Sequence, residues 1–287
     1  MKLQVLSDNK QLQEALEFEH GLCIYLETEK YKCLLDTGAS EMFIHNAEKM
    51  VIDLEDIDYL FISHGHADHL GGLEAFLKLN SKAKIIISKN ALSQRFFSVR
   101  NGLKEISCSI DIQNYPDRFI FIDSETIFEN EIYVFPCQEN RFPTPKANKT
   151  LMTEETNGLK PDDFNHEIIV CFGKNDLLVY TGCAHHGVLN ILKSVEEITG
   201  KRIATLIGGF HLLDGYPGQY ETEIEINEIA DRLVKDYPET RFYTGHCTGD
   251  NVYHLLKTKL TGNLRSFYTG FTLFLPAEPG NIKDQNN

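Results

Sequence analysis

Apolar positions recur in two periods along the chain, and the alternation between them predicts its elements. Near the N-terminus, 3–6 reads as a strand, and 21–27 with 31–35 as a hairpin turning at the polar Thr28, Glu29 and Lys30. Asp36-Thr37-Gly38 closes that hairpin. Ser40 is placed to cap a helix over 41–50 with Phe43, Ala47 and Met50 on one face. The short run DYLFI (58–62) is nearly all apolar, as expected of a strand buried on both faces. It leads directly into SHGHADHLGG, after which 73–79 reads as a helix and 84–88 as a strand.

Between about 90 and 165 the periodicity weakens. The segment RFPTPKANKT (141–150) carries two prolines and no apolar repeat, so this stretch is expected to be an insertion, a lid or substrate-facing loops. Alternation then returns. The stretches 167–172 and 176–181 form a second predicted hairpin across 173–175. Val188, Ile191, Leu192, Val195 and Ile198 recur at helical spacing, as do Ile226, Ile229, Ala230, Leu233 and Val234. Strands are expected at 203–207 and 241–244, a helix at 252–260 and a closing strand at 266–275. Two halves of this kind suggest an α/β (α+β) protein of two packed sheets with helices outside. The expected organisation is a single domain over 1–275 with a flexible polar tail at 276–287.

Composition narrows the function classes. The chain has 287 residues, 42% of them hydrophobic and 24% charged, ordinary for a globular protein with an extensive core. Its formal charge of −14 repels phosphate backbones and anionic lipid, so neither nucleic acid nor a membrane surface is expected as a partner. Bound cations could still draw a small anionic substrate to an acidic protein. The first twenty residues hold no long apolar run, and no segment approaches the ~20 apolar residues of a membrane span, so the expected location is cytoplasmic. The seven cysteines include no CxxC pair and read as reduced thiols. Base rates alone favour a two-fold homodimer among oligomers.

His64-Gly65-His66-Ala67-Asp68-His69 is the strongest chemical signal. Three imidazoles and a carboxylate fall within six residues, directly after a strand that anchors them. In an extended turn alternate residues point the same way, so His64 and His66 can hold one ion while Asp68 and His69 turn toward a second. Two metals ~3.5–4 Å apart can share a hydroxide and clamp an oxyanion. More ligands must come from other strand ends. Candidates are His185 in TGCAHHG, His211 in IGGFHLL and His246 in YTGHCTG, each with glycine just before it. His185 is preferred to His186 because it lies nearer the strand end. His20, His45, His166 and His254 read as structural or exposed. Cys183, like Cys247, sits in one of these glycine-containing loops; it reads as a buried thiol, with thiolate ligation as the alternative.

These residues match a family. SHGHADHLGGL (63–73) resembles the HxHxDH signature of the metallo-β-lactamase superfamily, and Asp36-Thr37-Gly38 resembles the aspartate-glycine turn that supports its ligand loop. The further run of LLDTG, TGCAHHGVLNIL, GGFHLL and GHCTG is similar to the dihydropterin-methyl-ribofuranosylaminobenzene-phosphate synthase-like branch. The resemblance implies a four-layered αββα sandwich, His64 and His66 on a first metal, and Asp68 and His69 on a second. His185, His211 and His246 are the candidates for the remaining positions. One departure stands out. Where most members place a bridging aspartate after Thr-Gly, Thr181-Gly182 is followed by Cys183, so Cys183, His185 and His211 are alternatives for that role.

The resulting expectation is a hydrolase with two divalent ions, zinc foremost and manganese or iron as alternatives. It would act through a metal-bound hydroxide on a small phosphate- or ester-containing metabolite, with Asp68 also accepting a proton. The rival readings are a diiron redox protein and a non-catalytic ligand-binding protein on the same fold.

Overall fold

The computed structural model describes residues 1–216 and 218–276. The chain divides into two compact units. Among the described residues, one comprises 1–95, 105–123 and 268–276; the other comprises 96–104 and the described part of 124–267.

The first unit is built on a seven-stranded sheet in the order Thr272–Phe274, Lys2–Ser7, Cys23–Glu27, Lys32–Leu35, Tyr59–Phe61, Lys84–Ser88, Phe119–Ile122. Pairing is antiparallel up to Lys32–Leu35 and parallel beyond it. Tyr25, Leu34, Leu60, Ile85 and Ile87 pack with Phe43 and Ala47 of the helix Met42–Lys49 and with Leu73, Phe76 and Leu77 of the helix Leu73–Leu79. Leu3, Ile24, Leu26, Leu35, Phe61 and Ile86, from the alternate positions, are also fully buried. Burial of both faces explains why 59–62 reads as an uninterrupted apolar run rather than an alternating one. Each such side chain contributes about 1.5–3 kcal/mol by leaving water. Register aligns Leu35 with Phe61 and Phe61 with Ile86, so the carboxyl ends of three parallel strands lie level.

The second unit repeats the plan. Its seven-stranded sheet runs Leu264–Ser266, Arg241–Thr244, Arg202–Ile207, Asp176–Tyr180, Ile168–Phe172, Ile132–Pro136, Thr126–Phe128. The first four strands pair parallel and the rest antiparallel. Parallel neighbours need crossovers, and the helices Val188–Thr199, Glu223–Asp236 and Asp250–Leu260 supply them. All three helices pack on one face: Ile191, Leu192, Val195, Ile226, Ala230, Leu233 and Leu256 join Cys171, Val179, Leu206 and Phe242 in one core. Two of these helices have legible ends. The first stops at Gly200, whose φ of 62° costs other residues more. The second opens with a capping box between Thr222 and Glu225. Register again levels the carboxyl ends, with Tyr180 opposite Ile207 and Ile207 opposite Tyr243.

The expected insertion at 90–165 is partly integral to the sheets. Phe119–Ile122 forms an edge of the first sheet, and Ile132–Pro136 is an interior strand of the second. Leu151–Glu155 pairs with Gly158–Pro161 and with Phe96–Ser98 in a smaller sheet. The expected closing strand at 266–275 is instead two strands, Leu264–Ser266 and Thr272–Phe274, one in each large sheet. The break was signalled by Gly270, whose φ is 92° and where a Cβ would meet Leu16 Cδ1 at 2.7 Å. The expected tail lies outside the described residues from 277 on. Among the described residues, no helix is long and apolar enough to cross a membrane.

Candidate metal centre

In the first unit the histidine loop leaves the carboxyl end of Tyr59–Phe61, and Asp36 leaves the end of the neighbouring strand. Asp36 is fully buried and left-handed, with φ 58°. Its Oδ1 accepts from Ser63 N at 2.6 Å. Its Oδ2 accepts from Ser63 Oγ at 2.6 Å and lies 2.6 Å from His69 Nδ1. A carboxylate only accepts, so His69 carries its proton on Nδ1 and presents the Nε2 lone pair. Ser63 spends its one hydroxyl proton on Asp36, so its Oγ must accept from His64 Nδ1, 2.9 Å away. His64 therefore also presents Nε2. One buried aspartate thus sets the tautomer of two imidazoles, as metal ligation requires.

The rings are close. His64 lies 4.7 Å from His66 and 4.1 Å from His69, centroid to centroid. Asp68 Oδ2 is 3.7 Å from His69 Nε2 and 3.4 Å from Nε2 of the exposed His20. Glycine makes the loop possible. A Cβ on Gly71 would sit 2.2 Å from Ala39 O, and one on Gly72 2.4 Å from Thr37 O. Thr37 N and Oγ1 both donate to His69 O, at 2.8 and 3.0 Å.

In the second unit His185, His211 and His246 follow the level carboxyl ends of three parallel strands. Three non-glycine residues of these loops are left-handed: Ala184 (φ 54°), His211 (49°) and His246 (53°). Each costs on the order of 1–2 kcal/mol, a cost that clusters at functional sites. His185 is fixed on every side. Its N–H donates to Glu167 Oε1 at 2.7 Å, its ring stacks on Phe164 at 4.4 Å, and Asn148 Nδ2 donates to its carbonyl at 2.8 Å. Asn148 Oδ1 then accepts from His185 Nδ1 at 3.1 Å, again presenting Nε2. His186 is committed elsewhere: its N–H and Nδ1 engage Glu167 Oε2 at 3.0 and 2.5 Å. Burial alone would raise the Glu167 carboxyl, but His186 and the two backbone N–H groups outweigh it and hold it below the usual range. Burial likewise pulls His186 down, and Glu167 outweighs that and raises it.

His211 packs 4.3 Å from His185, and both of its ring nitrogens are buried without a hydrogen-bond partner. Buried polar atoms in that condition are rare and point to a site for a bound ion or water. In the first unit, imidazoles with fixed tautomers beside a carboxylate are donors that suit a divalent transition metal; in the second, so are a fixed imidazole and an orphaned one. His45 and His20 are half-exposed or exposed, as the sequence suggested, while His166 is fully buried, bonded to Asp162 Oδ2 at 3.1 Å and packed on Phe96 and Phe164. Sequence reasoning missed Glu167 and Asn148. The available signal for Glu167 was an acidic residue at the mouth of the apolar run 168–172.

Residues 16–135 match the metallo-beta-lactamase superfamily. A solved metal-dependent hydrolase of the beta-lactamase superfamily superimposes with a TM-score of 0.79 at 28% identity, covering 96% of this chain and 99% of its own. The chain carries the metallo-β-lactamase domain and fold. Over 267 residues it is 24% identical to the 7,8-dihydropterin-6-methyl-4-(beta-D-ribofuranosyl)-aminobenzene-5'-phosphate synthase of Methanocaldococcus jannaschii, covering 88% of each chain. A diphosphatase of the PhnP family shares the fold alone, with a TM-score of 0.52 and 14% identity over 95% of this chain and 96% of its own. On the metallo-β-lactamase fold, Asp36 and Glu167 stand as the buried supports of two histidine-bearing loops.

Proposed function

We propose that this metallo-β-lactamase-fold protein is a metal-dependent hydrolase of a small phosphate- or ester-containing metabolite. The carrying observation is the Asp36–Ser63–His64/His69 network, which consumes the Nδ1 of two imidazoles and commits both to present Nε2. A structural histidine loop has no need of that arrangement; a ligand loop does. The proposed ligands are His64, His66, Asp68 and His69 in the first unit, and His185, His211 and His246 in the second. Two divalent ions, zinc foremost, would act as Lewis acids and lower the pKa of a water nucleophile.

The chain's own groups do the rest. Asp68 is 22% exposed at its side chain, unlike the sealed Asp36, so it can exchange a proton with a substrate-side water as well as ligate. The phosphate-containing class is supported by the chemistry named for the Methanocaldococcus synthase. The test is turnover of phosphodiester and carboxylic ester model substrates with added Zn²⁺ or Mn²⁺. Asp68→Ala and His69→Ala should each lose at least 100-fold in kcat/KM, about 2.7 kcal/mol of transition-state stabilisation. Unchanged turnover in both variants would sink the reading.

A further inference from the structure

Among the described residues, the second unit brings together a donor set of different character. Cys183, His211 and Cys247 offer one ligand atom each, all within 4.8 Å of one another, and all three residues are buried. We propose that these three residues bind a thiophilic divalent ion of the zinc class through two sulfurs and one imidazole. The proposal rests on the reading above in one respect, that His211 is a metal ligand, and adds that its ion is held by sulfur.

The loops are shaped around the sulfur of Cys247. Cys247 Sγ accepts from His211 N at 3.3 Å and, as a thiol, donates to Cys183 O at 3.8 Å, a proton that metal binding would displace. A Cβ on Gly209 would fall 2.3 Å from that sulfur, so only glycine admits it. Gly209 N donates to Gly182 O at 2.6 Å, tying the His211 loop to the Cys183 loop. The independent observation is His211 itself. It is 5% exposed, left-handed, and has no hydrogen-bond partner at either ring nitrogen. An ion satisfies one of those nitrogens. With Zn–S near ~2.3 Å, two thiolates of a tetrahedral site lie about 3.8 Å apart, so the cluster needs to contract by no more than about 1 Å. Thiolate donors select zinc or iron over magnesium or calcium, which narrows the metal.

The test uses the full chain, purified under reducing conditions and loaded with Co²⁺ in place of its own metal. Sulfur-ligated cobalt should give strong near-ultraviolet charge-transfer absorption. Cys183→Ser and Cys247→Ser should each weaken the band, and the double variant should abolish it. Cys108→Ser and His64→Ala should retain it. Far-ultraviolet circular dichroism identifies any variant that fails to fold, and in that case Cys183→Ala and His211→Gln carry the same expectation. Cobalt bound without a sulfur band in the unaltered chain overturns the proposal. So does a band that survives the double substitution, or a thiol titration showing Cys183 and Cys247 joined as a disulfide. Metal-dependent turnover alongside any of those results would leave the hydrolase reading standing while removing the sulfur site.

Discussion

Each unit supports its histidine loop with one buried carboxylate, and the two do so differently. Asp36 takes one backbone N–H and two side-chain groups, and through them orients the rings of His69 and His64. Glu167 takes two backbone N–H groups and the ring of His186, so it fixes the path of the loop while Asn148 orients the His185 ring. The aspartate is therefore chiefly a tuner of donor atoms, and the glutamate chiefly an anchor of backbone. Stability and metal affinity should respond in opposite proportion when each is altered.

Glu167→Ala is the strongest way to break the comparison. It strands one buried and one partly buried N–H donor and leaves His186 without its counter-charge, losses that reach about 3–5 kcal/mol in buried pairs. His186 is 22% exposed at its side chain, which places the expected cost near the lower figure, about 3 kcal/mol. Urea denaturation followed by circular dichroism reads it. A loss under about 1 kcal/mol would show that the anchor is dispensable.

Asp36→Asn addresses the other carboxylate. The amide keeps the shape and tolerates the left-handed backbone at φ 58°. Where its NH₂ replaces Oδ2, it faces His69 Nδ1 with a donor, which moves the ring proton to Nε2. Zinc affinity by competitive titration should fall roughly 10–100-fold, the usual cost of losing such a support. Stability of the metal-free chain should change less than in Glu167→Ala. Reversed proportions would refute the division of roles.

The comparison also shows what a sequence can reveal. The histidine loop was legible because its chemistry is contiguous: six residues, one strand end, one spacing. Asp36 was legible through its turn with Gly38. The apolar runs 59–62 and 168–172 announced strands because burial on both faces removes the polar alternation. Glu167 was illegible because its partners sit eighteen and nineteen residues away, joined only by the hairpin and the loop after it. Asn148 lies in the proline-bearing stretch where no period guided the reading, thirty-seven residues from His185. Cys247 drew attention by its loop, yet its closeness to Cys183 depends on parallel register that one chain does not spell out.

The Glu167–His186 pair can be tested by pH as well. Glu167 titrates below its ordinary value and His186 above its own. The lowered carboxyl contributes stability that is present above the unfolded pKa near 4.5 and lost as pH falls through the folded one. The raised imidazole contributes stability that is complete below about 6.5 and lost as pH rises through its folded value. The pair therefore stabilises most between those limits. In the metal-free chain, Glu167→Gln should flatten both limbs of the stability profile measured by urea midpoints. An unaltered profile in that variant would mean the pair carries none of the pH dependence.

The smallest effect comes from the neutral support, and it sharpens the contrast most finely. Asn148 does for His185 what Asp36 does for His69, but with an amide oxygen instead of a charge. A neutral hydrogen bond is worth about 0.5–1.5 kcal/mol, against about 1.5–3 for one to a charged group. Asn148→Ala should therefore weaken zinc binding by about two- to tenfold, clearly less than Asp36→Asn. Asn148→Asp restores a charged acceptor for Nδ1 but withdraws the donor to the His185 carbonyl, so it should recover affinity without recovering stability. If Asn148→Asp bound zinc no better than Asn148→Ala, ring orientation through Nδ1 would not be what Asn148 provides.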